Sequence, residues 1–186
     1  MDLVQGGTVE QFGTDQLWDL YRRSFPRRRR RAADQQAMSR ESFDELIIDP
    51  FWTKLVLLER TACDQLVGLT ALGNQPEAVP ADTLGLVRQT WPEHLASQRL
   101  WYVPFLVVDP AYQHTGAAVH LAGGIWTRAV ATGGVVMVDT AAFNDTMVRL
   151  PSALFHLARS ISARTTLQQV DGEGLWAYEF PEPVLA

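Results

Sequence analysis

Lysine and cysteine are almost missing from this sequence: Lys54 and Cys63 are the only ones in 186 residues. A single thiol rules out an intrachain disulfide and fits a reducing, cytoplasmic setting. The other basic residues are all arginine, a bias of GC-rich, bacterial coding sequences. The four histidines, His94, His114, His120 and His156, lie apart and show no metal-ligand spacing, so no bound metal is expected. No apolar run approaches the roughly 20 residues that span a bilayer. The opening residues have neither a basic leader nor an apolar core, so no signal peptide and no membrane association are expected. The net charge of −5 gives no reason to expect nucleic acid as a partner. There is no Gly-x-Ser-x-Gly elbow and no Gly-Lys-Ser/Thr, which removes support for a hydrolase or a P-loop enzyme.

What is present is an ordinary globular composition, 47% hydrophobic and 20% charged, over a length that suits one domain with a good core. The chain is organised around the stretch from Leu100 to Trp126. Leu100 to Val108 is a long apolar run rich in β-branched and aromatic residues, and Asp109-Pro110 ends it, so it reads as a buried strand. A short turn bearing Gly116 follows. Val119, Leu121, Ala122, Ile125 and Trp126 then fall at helical spacing. A strand, a glycine turn and a helix N-terminus leave unpaired N–H groups and a positive dipole end facing a turn small enough to close on a phosphate.

Before this stretch, Thr8 to Phe12 alternates weakly and reads as a first strand. Thr14 or Asp15 caps a helix whose stripe is Leu17, Trp18, Leu20, Tyr21 and Phe25. Arg27 to Arg31 is a basic run, read as a solvated block or as a patch for a phosphate or an acidic carrier protein. Ser42 to Glu45 fits a capping box for a short helix that Asp49-Pro50 stops. Thr53 to Glu59 and Gln65 to Leu72 form a hairpin around the turn Ala62-Cys63-Asp64, with Gly68 marking a bulge. Residues 73–99, broken by Pro76, Pro80 and Pro92, read as an irregular insertion with a helical turn at Trp91 to Leu95.

Beyond the central helix, Gly133-Gly134 closes it and Val135 to Thr140 is a further strand, parallel to the one before. Asn144 or Asp145 caps the next helix, which Pro151 kinks or restarts. Thr165 to Val170 and Leu175 to Phe180 form a closing hairpin.

The string Gln113-x-x-Gly116-x-Ala118 resembles the (Arg/Gln)-x-x-Gly-x-(Gly/Ala) signature of the GNAT superfamily, the acyl-CoA-dependent N-acyltransferases. The element order resembles that family over nearly the whole chain. The resemblance implies an α/β fold: a single domain over residues 1–186 with a central twisted, mixed sheet of about six to seven strands and about four flanking helices. The sheet would splay between its fourth and fifth strands, with Pro104 as the local disrupter. Acetyl-CoA or another acyl-CoA would be the donor substrate. Its pantetheine arm would pair with Leu106, Val107 and Val108, and its pyrophosphate would meet Gln113, His114, Thr115, Gly116, Ala117 and Ala118, with Asn144 as a further contact.

An amine, of a small molecule or a peptide, would attack the thioester directly. The resemblance puts Tyr102 where the family often has its glutamate base, eleven residues before Gln113; Glu59, at the end of a strand, is a second candidate base. The family's acid is a tyrosine that matches Phe155 here, which cannot donate a proton, and the neighbouring His156 would point elsewhere on the helix. That departure keeps alternatives open: a carrier-protein donor, acyl O-transfer or decarboxylation, or a non-catalytic domain that binds acyl-CoA. A homodimer is left open.

Overall fold

The computed structural model describes residues 2–5, 11–24, 38–59, 64–139, 150–170 and 174–181. Among them are seven strands: β1 (Asp2–Gln5), β2 (Thr53–Glu59), β3 (Gln65–Gly73), β4 (Leu100–Val108), β5 (Val135–Asp139), β6 (Thr166–Gln169) and β7 (Leu175–Glu179). The helices are α1 (Thr14–Ser24), α2 (Arg40–Ile48), α3 (Ala81–Thr90), α4 (Pro92–Ala96), α5 (Ala117–Thr132) and α6 (Leu150–Ile161). The strands are hydrogen-bonded in the order β1-β2-β3-β4-β5-β7-β6. β1 runs antiparallel to β2, β4 parallel to β5, and β7 antiparallel to both β5 and β6, so the sheet is mixed as expected. The chain forms two compact units, Met1–Ala71 with Leu106–Ala122 and Leu72–Phe105 with Gly123–Ala186.

The first unit holds β1, β2, most of β3, the end of β4 and the first turns of α5. The first strand among the described residues is Asp2–Gln5, defined by pairing with Leu55 to Leu58 of β2, which a weak local alternation could not reveal; most of the strand expected at Thr8 to Phe12 lies outside the described residues. α1 begins after Gly13, whose carbonyl accepts from the Gln16 N–H, and buries Leu17, Leu20 and Tyr21. The rings of Trp18 and Tyr21 meet Phe43 at centroid distances of 5.2 and 5.1 Å and so join α1 to α2. The cap of α2 is Ser39, whose hydroxyl accepts from the Ser42 N–H, so the capping box expected at Ser42 to Glu45 starts one turn too late. Asp49 ends α2, as the residue before a proline should.

In β3, a Cβ on Gly68 would lie 2.8 Å from Leu121 Cδ1 and 3.1 Å from the Val107 carbonyl oxygen. Close approach is therefore what requires glycine there.

The second unit holds the start of β4, β5, β6, β7, most of α5, and α3, α4 and α6. Residues 73–99, expected to be irregular, are largely helical: a 3-10 turn at Pro76–Ala78, then α3 and α4. α3 lacks an apolar stripe, carries Gly85 in its middle and buries only Val87, so no periodic signal announced it. Trp91, buried between α3 and α4, donates its indole N–H to Glu179 of β7 at 3.2 Å. α5 ends at Gly133, φ +59, with Gly134 N–H returning to the Ala129 carbonyl, the expected glycine closure. Pro151 is the second residue of the described part of α6, and the cap expected at Asn144 or Asp145 lies outside the described residues. Trp126 packs on Tyr178 and Phe180 of the β7 end at 4.9 and 5.7 Å.

The parallel register of β4 with β5 runs from Leu100↔Val135 to Val103↔Val138 and stops there. Pro104, next in β4, has no N–H to give to a ladder.

Candidate functional site

The end of β4 and the turn into α5 lie wholly in the first unit. Val107 and Val108 are buried and Leu106 is half-buried. The Asp109 N–H donates to the Val67 carbonyl at 2.8 Å, so β4 stays tied to β3 to its last residue. Asp109 then folds the chain over: its carboxylate accepts from the Ala111 N–H at 2.9 Å, an Asx turn, and its carbonyl accepts from the Tyr112 N–H at 2.8 Å. Pro110–Tyr112 is a single 3-10 turn. The Tyr112 carbonyl next accepts from both the Thr115 N–H at 3.1 Å and the Thr115 hydroxyl at 2.8 Å.

Gln113, His114, Thr115 and Gly116 are exposed, Ala117 is buried and Ala118 is half-buried. Gly116 sits at φ +83, and no atom lies within 4 Å of where its Cβ would be. A left-handed residue turns the backbone sharply into α5, and the open space over it is where a ligand can meet main chain. α5 has 16 residues, so its first-turn N–H groups and macrodipole are those of a full-length helix. Gln113 to Gly116 thus lie on an accessible surface and lead into the buried Ala117 at the helix start, an arrangement that suits an anion.

Two carboxylates flank this turn, and both are engaged. Asp109, 9% exposed, pairs with Arg23 of α1 at 2.7 Å. Glu59, at the end of β2, accepts a hydrogen bond from the Tyr112 hydroxyl. That bond, followed by desolvation and the Glu59 charge, raises the Tyr112 pKa above the usual tyrosine value and keeps the phenol protonated. Held this way, both carboxylates are engaged in the protein's own interactions beside the exposed turn.

Arg23, Asp109 and Tyr112 were not among the residues singled out from the sequence. Asp109-Pro110 is a local Asx-turn signal that could have identified Asp109. Tyr112 and Glu59 are 53 positions apart, and nothing local links them.

The other described candidates, Tyr102, Phe155 and His156, belong to the second unit. Tyr102, in the second unit, is 7% exposed and paired with Met137 of β5. Phe155 is a half-buried residue of α6 with the Arg159 guanidinium 5.9 Å from its ring, while His156 is exposed. His94 lies on α4, and His114 and His120 are exposed residues of the turn and of α5. Asn144 and the run Arg27 to Arg31 lie outside the described residues. Among the described residues no group of three or more His, Cys, Asp or Glu is placed to hold a metal ion, and no helix is long and apolar enough to cross a membrane.

The sequence matches no family model and no curated protein. Solved structures do resemble the fold. An aminoglycoside 6'-acetyltransferase type Ii aligns over 98% of this chain and 100% of its own, with a TM-score of 0.58 and 16% identity. Tetrahymena GCN5 aligns over 98% and 99%, with a TM-score of 0.52 and 13% identity. Arabidopsis thaliana NAA60, solved with a bisubstrate analogue, aligns over 96% of both chains, with a TM-score of 0.54 and 13% identity. With the strand order, the parallel β4–β5 pair that stops at Pro104 and the glycine turn into α5, these likenesses give the chain the fold of the GNAT acetyltransferases.

Proposed function

We propose that the protein transfers an acyl group, acetyl in the first instance, from acyl-CoA to an amine. The observation that carries this reading is the exposed turn from Gln113 to Gly116, which feeds a full-length helix N-terminus directly from the end of β4. A diphosphate would be held by the backbone N–H groups from Gln113 to Ala118, where Gly116 leaves room and α5 supplies the positive dipole end. Leu106 to Val108 would offer strand-edge backbone groups to an extended pantetheine arm. Bound acyl-CoA supplies an activated thioester: an amine attacks its carbonyl, the C–N bond forms, the C–S bond breaks, and the proton lost from nitrogen balances the one gained by sulfur. A backbone N–H of β4 aimed at the carbonyl oxygen would contribute roughly 3 kcal/mol to such a step.

Among the described residues, side-chain acid–base help is sparse. Glu59 is occupied by Tyr112. Tyr102 is buried in the paired half of β4, and its ring contributes to the core. Tyr102→Phe keeps that ring, so turnover should stay within a few-fold of the unaltered protein; a fall of about 10²–10⁴-fold would identify the hydroxyl as acid–base machinery instead. Phe155→Tyr places a phenol where the family has one. It should leave turnover at least as high as before and should not unfold α6, because the position is already half-exposed. A large loss of activity in this variant would mean that α6 is not the acid-bearing helix.

Phe155 also favours a second reading, a domain that binds acyl-CoA or an acylated carrier without ordinary acetyl transfer. The test is release of free thiol from acetyl-, malonyl- and long-chain acyl-CoA over a panel of amines, beside calorimetry with CoA. Thiol release that depends on an amine supports acyl transfer. CoA binding with no release on any amine supports the second reading, and no CoA binding overturns both.

A further inference from the structure

Tyr112, in the turn between β4 and α5, is bonded through its N–H, its carbonyl and its hydroxyl. Its N–H is fixed by the Asp109 carbonyl at 2.8 Å, and its own carbonyl takes the Thr115 N–H at 3.1 Å and the Thr115 hydroxyl at 2.8 Å. Main-chain bonds therefore clasp it on both sides within the turn. Its side chain reaches out of the turn, to the carboxylate of Glu59 on β2. Phenylalanine would fill the same volume, so packing alone does not explain the hydroxyl. Glu59 closes β2 and is half-buried, where a strand-end carboxylate would otherwise be solvated.

We infer that Tyr112 and Glu59 form a positioning pair that fixes the Gln113–Gly116 turn to β2 and thereby sets affinity for CoA, with Glu59 acting through Tyr112 and not as a base. The inference rests on the acyl-CoA reading above. A phenol donating to an ionised carboxylate is a charge-assisted bond, stronger than its neutral counterpart. It holds the turn in one geometry before ligand arrives, so less ordering has to occur on binding. Arg23 performs the matching task for Asp109 on the other side of the corner.

The test is calorimetry with CoA on the unaltered protein and on Tyr112→Phe, Glu59→Ala, Glu59→Gln and the double variant Tyr112→Phe/Glu59→Ala, with thermal melts in the absence of CoA. Tyr112→Phe and Glu59→Ala should each weaken CoA binding about tenfold, the effect of a partly exposed hydrogen bond to a charged group. The double variant should be no worse than either single one, because both remove the same bond. Glu59→Gln keeps an acceptor oxygen and should recover most of the affinity. Melting temperatures should move little in all four. A general loss of structure would instead lower melting in step with affinity and add up in the double variant, which overturns the inference. CoA binding by the unaltered protein with equal affinity in Tyr112→Phe also overturns it and leaves the functional reading intact. No CoA binding by the unaltered protein overturns both.

Discussion

Gly116→Glu should abolish CoA binding while the protein stays folded. Gly116 is exposed, sits at φ +83 and has nothing within 4 Å of its missing Cβ, so a side chain there meets solvent and not the core. The positive φ strains any L residue by roughly 1–2 kcal/mol. Against that, a carboxylate just ahead of α5 interacts favourably with the positive end of the helix, by about 0.3–1 kcal/mol. The net loss of stability should therefore be about 1 kcal/mol, lowering the melting temperature by roughly 2–4 °C for a chain of this size. Binding is affected far more. The new carboxylate can occupy the N–H groups meant for a phosphate, fills the space over the backbone and repels the ligand's charge. A loss of more than about 100-fold in affinity is expected, equivalent to about 2.7 kcal/mol. Gly116→Ala separates the causes: it carries the backbone strain without the charge and should weaken CoA only a few-fold. Calorimetry that finds unchanged CoA affinity in folded Gly116→Glu would place the diphosphate somewhere else.

How far the sequence reaches is visible in particular elements. Leu100–Val108 was legible to the residue because a run of apolar, β-branched side chains meets Asp109-Pro110, and a proline both breaks a ladder and restricts the residue before it. Thr53–Glu59 and the closing hairpin were legible for the same kind of reason, a short apolar run between turn residues. What could not be read was structure fixed by distant partners. β1 exists because β2 pairs with it. α3 holds its shape with one buried side chain and no stripe. Ser39 and Ser42 are both fair caps, and which one serves depends on where the chain enters the helix. Within the candidate site the motif residues were legible because backbone geometry needs small side chains at fixed spacing. The hydrogen bond from Tyr112 to Glu59 was not, since a side-chain contact across 53 positions leaves no periodic trace. Glu59 reads from the sequence as a strand-end carboxylate, and only the structure shows the phenol it accepts from.

Gly134→Ala should be the most destabilising single-methyl addition among the glycines whose surroundings are described. A Cβ there would lie 2.5 Å from the Arg99 carbonyl oxygen, 3.1 Å from Thr132 Oγ1 and 3.4 Å from the Arg99 carbonyl carbon. The nearest contact is main chain, so no rotamer change relieves it. Nor can the backbone simply move apart. The Arg99 carbonyl accepts from the Val135 N–H at 2.9 Å, the Gly134 N–H donates to Ala129 at 2.8 Å, and the Gly134 carbonyl accepts from the Phe180 N–H at 2.9 Å. Any shift that makes room for a methyl group stretches bonds that start β5 beside β4, close α5 and hold the end of β7. Overpacking of this kind costs typically 1–3 kcal/mol, and the pinned main chain puts this site at the upper end, about 3 kcal/mol. For a chain of this length that is a fall in melting temperature of roughly 6–12 °C. Gly85→Ala is the matched control. It is also a single methyl, but in the interior of α3 with nothing within 4 Å, so removing the helix penalty of glycine should stabilise by about 0.5–1 kcal/mol. Denaturant unfolding of the two variants should therefore move in opposite directions. A Gly134→Ala protein as stable as the unaltered one would mean that β4 and β5 do not approach at Arg99 as described.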